Sequence, residues 1–214
     1  MNFSDPISDV IPSADAHVLS VLARTNSGLS GRRISELTEG AVSHVQVSTI
    51  LKRLVGSGIV LMDRQPPANV YSLNHDHVAA AGIVELASLR SLLIERMRTA
   101  SAAMSPQAKA VWLFGSLARG SGGPESDIDV FVVREDSVPA ADEEWERSLF
   151  EFAASAERWS GNSCAVVEYS KSELADLISR GERLISDIVA DGIRLAGDEI
   201  PRAAVLKQRR SSVV

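Results

Sequence analysis

Residues 113–129 read LFGSLARGSGGPESDID, and the fold of the C-terminal half follows from them. An apolar run, AVWLF at residues 110–114, suits a buried strand and delivers the chain to Gly115 and Ser116. Glycine at such a point lets backbone approach a ligand, and neighbouring amides can cradle phosphate oxygens. A glycine-rich loop follows. Asp127 and Asp129 then alternate with Ile128 and Val130, so on a strand both carboxylates project from one face. Alternate residues of a strand stand roughly 6–7 Å apart, close enough for two carboxylates to repel unless a cation neutralises them. Hard oxygen donors beside a phosphate cradle suit Mg2+, which typically takes one or two carboxylates plus substrate phosphates. Other phosphate motifs fail on the residues: no lysine follows the glycines, Glu125 stands where a G-x-G-x-x-G would close, and Ser116 follows Gly115 too directly for a G-x-S-x-G elbow.

Downstream, IDVFVV at residues 128–133 is a second strand, and residues 139–160, acidic outside and apolar at Trp145, Leu149, Phe152 and Ala156, form a helix. Residues 164–169 make a third strand, residues 174–178 and 184–189 helices, and residues 193–195 a last short strand. Strands alternating with helices predict an α/β (α+β) domain, a mixed sheet flanked by helices, over residues 105–200. Residues 201–214 read as a flexible basic tail. Upstream, residues 78–104 read as one connector helix that stops at Ser105 and Pro106.

The N-terminal third has a different rhythm. Residues 1–12, with Pro6 and Pro12, carry no sustained period and read as a loose lead-in. Ser13 is placed to cap a helix with Ala14, Val18, Val21 and Leu22 inward. A second helix spans residues 30–38 with Ile34 and Leu37 inward, and a third spans residues 43–56 with Val47, Ile50, Leu51 and Leu54 on one stripe. Residues 59–62 and 70–73 flank a loop containing Pro66 and Pro67, which predicts a hairpin. Three short helices and a hairpin over residues 13–77 resemble a winged helix-turn-helix, as do the segments LSGRRI from Leu29 and LKRLVGSGIV from Leu51. The resemblance implies double-stranded DNA as a partner through Arg32, Arg33, Gln46, Ser48, Thr49, Lys52 and Arg53. The other reading is a packing or homodimerisation module. Between residues 13 and 77 the bases Arg24, Arg32, Arg33, Lys52, Arg53 and Arg64 face Asp15, Glu36, Glu39, Asp63 and Asp76. DNA binding therefore needs the bases gathered on one face.

Composition narrows the classes. Lys+Arg 22 against Asp+Glu 28 gives a formal charge of −6, which argues against coating nucleic acid by bulk charge. No apolar run approaches the ~20 residues of a membrane span, and no membrane partner is expected. The start of the chain lacks a basic n-region and an apolar h-region, and Cys164 has no second cysteine to pair with, so a cytoplasmic location is expected. His75 and His77 have no matching metal ligands near them in sequence.

Gly115 and Ser116, ten intervening residues, then Asp127-x-Asp129 resemble the signature of the nucleotidyltransferase superfamily that includes DNA polymerase beta. The Gly-Ser-x-x-Arg-Gly and Ser-Asp-Ile-Asp details resemble its minimal, kanamycin-nucleotidyltransferase-like branch. The resemblance implies that Gly115, Ser116, Arg119 and Ser126 bind a nucleoside triphosphate, with Arg119 serving the loop or the phosphates. It implies that Asp127 and Asp129 hold Mg2+. It also implies a third carboxylate on a neighbouring strand, for which Val167-Glu168-Tyr169 offers Glu168, to complete the metal cage or to take the acceptor's proton. Some members place that acid three positions earlier, where this chain has Ala165. The implied activity is transfer of a nucleoside monophosphate to an acceptor hydroxyl or amine. A DNA-binding regulator or antitoxin-like protein with a nucleotide-sensing or inactive domain is the alternative, and the direction of Glu168 separates the two.

Overall fold

Side-chain caps start two of the N-terminal helices. The computed structural model of the chain describes residues 1–66 and 68–200, so the predicted basic tail lies outside the described residues. Among the described residues the chain divides into two compact units, one of Asn2 with residues 4–89, the other of Met1 and Phe3 with residues 90–200.

The N-terminal unit runs α1 (Ile7–Val10), α2 (Ala14–Ala23), β1 (Leu29–Ser30), α3 (Gly31–Leu37), α4 (His44–Gly56), β2 (Val60–Gln65), β3 (Ala68–Leu73) and α5 (Ala80–Ala87). Ser30 accepts from the Arg33 amide to start α3. Ser43 and Gln46 form a reciprocal capping box at α4, satisfying amides the helix leaves orphaned. Ser13 takes the extended backbone of a cap before α2, yet its side chain makes no capping bond. The three strands pair antiparallel in the order β1-β3-β2, with Leu29 opposite Tyr71 and Val60 opposite Leu73. Val18, Leu22, Ile34, Val47, Leu51 and Leu54 are fully buried in one core with Val60 and Leu73, each contributing about 1.5–3 kcal/mol of transfer free energy.

Three expectations for this region are corrected. Residues 1–12 are no loose lead-in, since they contain α1 and Phe3 and Ile7 are buried completely. Leu37 is 41% exposed, because the seven-residue α3 reaches the core through Ile34 and ends at Leu37. The expected single helix over residues 78–104 is two, α5 and α6 (Leu89–Ala102), interrupted at Ser88.

In the C-terminal unit, α6 is followed by β4 (Ala110–Phe114), α7 (Gly115–Arg119), β5 (Ile128–Arg134), α8 (Glu143–Ser160), β6 (Cys164–Ser170), α9 (Lys171–Arg180), α10 (Arg183–Asp191) and β7 (Ile193–Gly197). The sheet order is β6-β5-β4-β7, with β4 antiparallel to both neighbours and β5 parallel to β6. This is the mixed sheet flanked by helices that the sequence predicts. The parallel pair needs a crossover, and α8 supplies it. Alternation along the strands feeds two cores. Val111, Leu113, Val130 and Val132 pack with Leu93, Met97, Trp145 and Phe152, while Trp112, Phe131 and Val133 pack with Ile185, Ile188 and Val189. Burial on both faces fixes the register, because a one-residue slip would exchange the two sets.

Candidate active site

The site is assembled by the antiparallel pairing of β4 and β5. Phe114, the last residue of β4, stands opposite Asp129, so the carboxylate arrives where the chain turns into α7. That turn requires glycine. Gly115 has φ +70°, and a Cβ there would lie 2.0 Å from Asp129 Oδ2 and 2.9 Å from its Cγ. The cradle backbone and the carboxylate are thus in direct packing contact.

Asp127 precedes β5 by one residue and is exposed, whereas Asp129 is half-buried. Burial first, and the neighbouring Asp127 carboxylate second, hold the Asp129 proton above the ordinary aspartate range, while Arg119 pulls the other way. The structure therefore brings Gly115, Ser116, Arg119, Asp127 and Asp129 together. A half-buried carboxylate beside a second carboxylate makes a donor set whose repulsion a hard divalent cation would relieve. The two carboxylates fit Mg2+ as a pair of ligands, and phosphate and water would have to supply the rest. Ser126 is engaged differently: its Oγ accepts from the Gly123 amide at 3.0 Å and its own amide donates to Gly123 O at 3.0 Å, closing a turn of the loop.

Glu168 does not join them, which corrects the expectation for the third carboxylate. In the parallel register Asp129 stands beside Ala165, while Glu168 stands beside Val132, three rows on. Three residues on a strand also reverse the face. Glu168 accepts from Arg134 Nε at 2.6 Å, and Arg134 Nη1 donates to Val138 O. Among the described residues no group of three or more His, Cys, Asp and Glu side chains is arranged to hold a metal ion.

Sequence reasoning misses Arg90, since an arginine on a helix carries no distinguishing signal. Its Nε and Nη2 donate to Leu117 O and Ala118 O at 2.9 and 2.7 Å, satisfying carbonyls at the end of α7 behind the cradle. Burial pushes the Cys164 thiol up to about 12, with Glu157 and Asp129 adding to the shift, so this cysteine is inert.

In the N-terminal unit, α4 exposes Gln46, Ser48, Thr49, Lys52 and Arg53. Several of the side chains expected at DNA are already engaged. The Gln46 carbonyl caps α4, and Thr49 Oγ1 donates to Val45 O. Arg32 and Arg33 both pair with Glu36 at 3.1 Å, and Arg53 pairs with Asp15. The two arginines lower the Glu36 proton affinity, Arg33 the more.

Residues 94–191 match the family model described as a nucleotidyltransferase domain. No curated protein matches the chain. Among solved structures, a crystal structure of a toxin–antitoxin MntA–HpeT mutant is similar at 16% identity and TM-score 0.38, over 56% of this chain and 86% of that one. A toxin–antitoxin crystal structure with AMP-PNP is similar at 20% identity and TM-score 0.37, over the same shares. Among the described residues no helix is long and apolar enough to cross a membrane.

Proposed function

We propose that the C-terminal unit binds a nucleoside triphosphate with Mg2+ and transfers the nucleoside monophosphate to an acceptor. One observation carries the reading: Gly115, held at positive φ, packs directly against the Asp129 carboxylate beside Asp127. The family match over residues 94–191 supports it. In this proposal the backbone at Gly115 and Ser116 receives the phosphates and Arg119 offsets their charge. Asp127 and Asp129 hold the cation, which when bound neutralises charge on the triphosphate and its leaving group. The acceptor oxygen or nitrogen bonds to the α-phosphorus, the bond to the bridging oxygen breaks, pyrophosphate leaves, and the acceptor's proton passes to solvent. Calorimetry of ATP and other triphosphates with Mg2+ tests the binding, using wild type, Asp127→Asn and Asp129→Asn. Metal-dependent binding in wild type alone is expected. Transfer is read as label from an α-phosphate-labelled triphosphate retained on an acceptor. No metal-dependent binding in wild type ends the nucleotide reading.

A second reading is favoured by Ala165. With alanine beside Asp129 and Glu168 held by Arg134, the carboxylate that would take the acceptor's proton is missing from β6. The unit would then sense nucleotide in a regulator or antitoxin-like protein. Tight metal-dependent binding without retained label selects this reading.

For the N-terminal unit we propose a winged helix-turn-helix that contacts double-stranded DNA through α4 or mediates homodimerisation. The element order from α2 to β3 and the exposed polar side of α4 support it. The ion pairs of Arg32, Arg33 and Arg53 do not oppose it, since exposed pairs contribute only about 0–1 kcal/mol and phosphates would displace the acids. A duplex-binding titration whose affinity falls steeply with salt, and falls further in Lys52→Ala and Arg53→Ala, is the expected result.

A further inference from the structure

The segment between α7 and β5 has no regular secondary structure and carries Gly120, Gly122 and Gly123. It nevertheless delivers Asp127 to one place. Part of the order is internal, from the two bonds between Gly123 and Ser126 that close the turn. Those bonds fix the shape of the turn, and just before it the Phe3 amide donates to Gly122 O at 2.7 Å.

The residues that flank Asp127 are held by the connection between α8 and β6. Asn162 is 3% exposed, and its Nδ2 donates to Pro124 O at 3.0 Å and Ser126 O at 2.9 Å. Its Oδ1 accepts from the Met1 nitrogen, and its own amide donates to Ser160 Oγ at 3.1 Å. The next residue contributes too, because the Ile128 amide donates to Ser163 O at 2.8 Å. Asp127 is thus held on both sides, its preceding carbonyl by Asn162 and its following amide by Ser163. Burial of an amide side chain is costly without partners, and here the partners are backbone groups flanking a site carboxylate.

We propose that Asn162 is a positioning residue, setting the Asp127 carboxylate for a cation bound with nucleotide. The proposal rests on the nucleotide reading above and adds a residue outside the Gly-Ser and Asp-x-Asp motif. Loss of the Nδ2 donor leaves the turn closed and lets it drift, so the cation affinity falls while the fold persists.

The test is Mn2+ uptake in the presence of ATP, followed by electron paramagnetic resonance, together with ATP binding in EDTA and a melting curve. Asn162→Asp keeps the size and the Oδ acceptor but removes the donor. It is expected to raise the Mn2+ concentration for half-saturation about 10-fold, the usual cost of losing a residue that orients a metal ligand. Metal-free ATP binding stays within about twofold. Asn162→Ser, which keeps one donor, gives a smaller rise and serves where the Asp variant does not fold. An unchanged Mn2+ midpoint in the folded variants overturns this inference alone. So does an equal loss of metal-free and metal-dependent binding. A wild type that takes up no Mn2+ with ATP overturns the nucleotide reading and this inference with it.

Discussion

The paired strands β5 and β6 end very differently. At one end Asp129 lies beside Ala165, next to the like charge of Asp127, with its proton held above the usual range. At the other, Arg134 and Glu168 meet at 2.6 Å with Arg134 buried and its guanidinium also bonded to the Val138 carbonyl. The far end is electrostatically complete, with the buried guanidinium paired to a carboxylate and a carbonyl. The near end is less complete: Arg119 offsets only part of the burial and like-charge repulsion at Asp129. An acid in a sheet is therefore read by what faces it, since burial alone does not separate a ligand from a strut.

The comparison breaks most sharply at the incomplete end. Asp129→Asn and Asp127→Asn are each expected to lower Mg2+-dependent nucleotide affinity at least about 100-fold, measured by calorimetry. Equal affinity in these variants would show that the near end is not the ligand site. Glu168→Gln should do the reverse, costing about 1–3 kcal/mol in chemical denaturation through the weakened pairing of buried Arg134, with nucleotide affinity unchanged. Ala165→Asp supplies the missing acid beside Asp129. The expected outcome is a rise of about 10-fold or more in retained α-phosphate label, if proton removal limits transfer.

The smallest effect is in pH. Because the Asp129 proton is held above the ordinary value of ~3.9, protons compete with the cation from a higher pH than at an exposed aspartate. Metal affinity should begin to fall in that window as the pH is lowered. In metal-free protein the sign of the stability effect is opposite. A raised folded-state value means the protonated form is favoured by folding, so Asp129 contributes stability at low pH that is lost as pH rises through its raised value. Asp129→Asn should accordingly raise the metal-free melting temperature at neutral pH by about 1–2 °C.

The near end is legible as a contiguous string, because the turn glycine and both acids lie in the single stretch 115–129. The far end misleads for a geometric reason. Val167-Glu168-Tyr169 is apolar-acid-apolar wherever it pairs, and the strand register decides which rung and which face the acid occupies. Register depends on the packing of both sheet faces, which no local pattern records. The same limit hides Phe3 and Ile7, single apolar residues in a proline-flanked segment without a period. It hides Asn162 as well, whose partners Pro124 and Ser126 lie 38 and 36 residues away in the chain. Helix α4 is legible throughout, since its cap and its buried stripe are both written within one short stretch of chain.

The crowding of Gly115 against Asp129 makes the two positions genetically interdependent. A methyl group at position 115 faces both an unfavourable backbone angle and an occupied volume, and trimming residue 129 to glycine removes only the second. In a selection for expression, the doublet Gly115→Ala with Asp129→Gly should outperform Gly115→Ala alone, yet never regain ligand. A saturation library would then report epistasis here as a volume exchange.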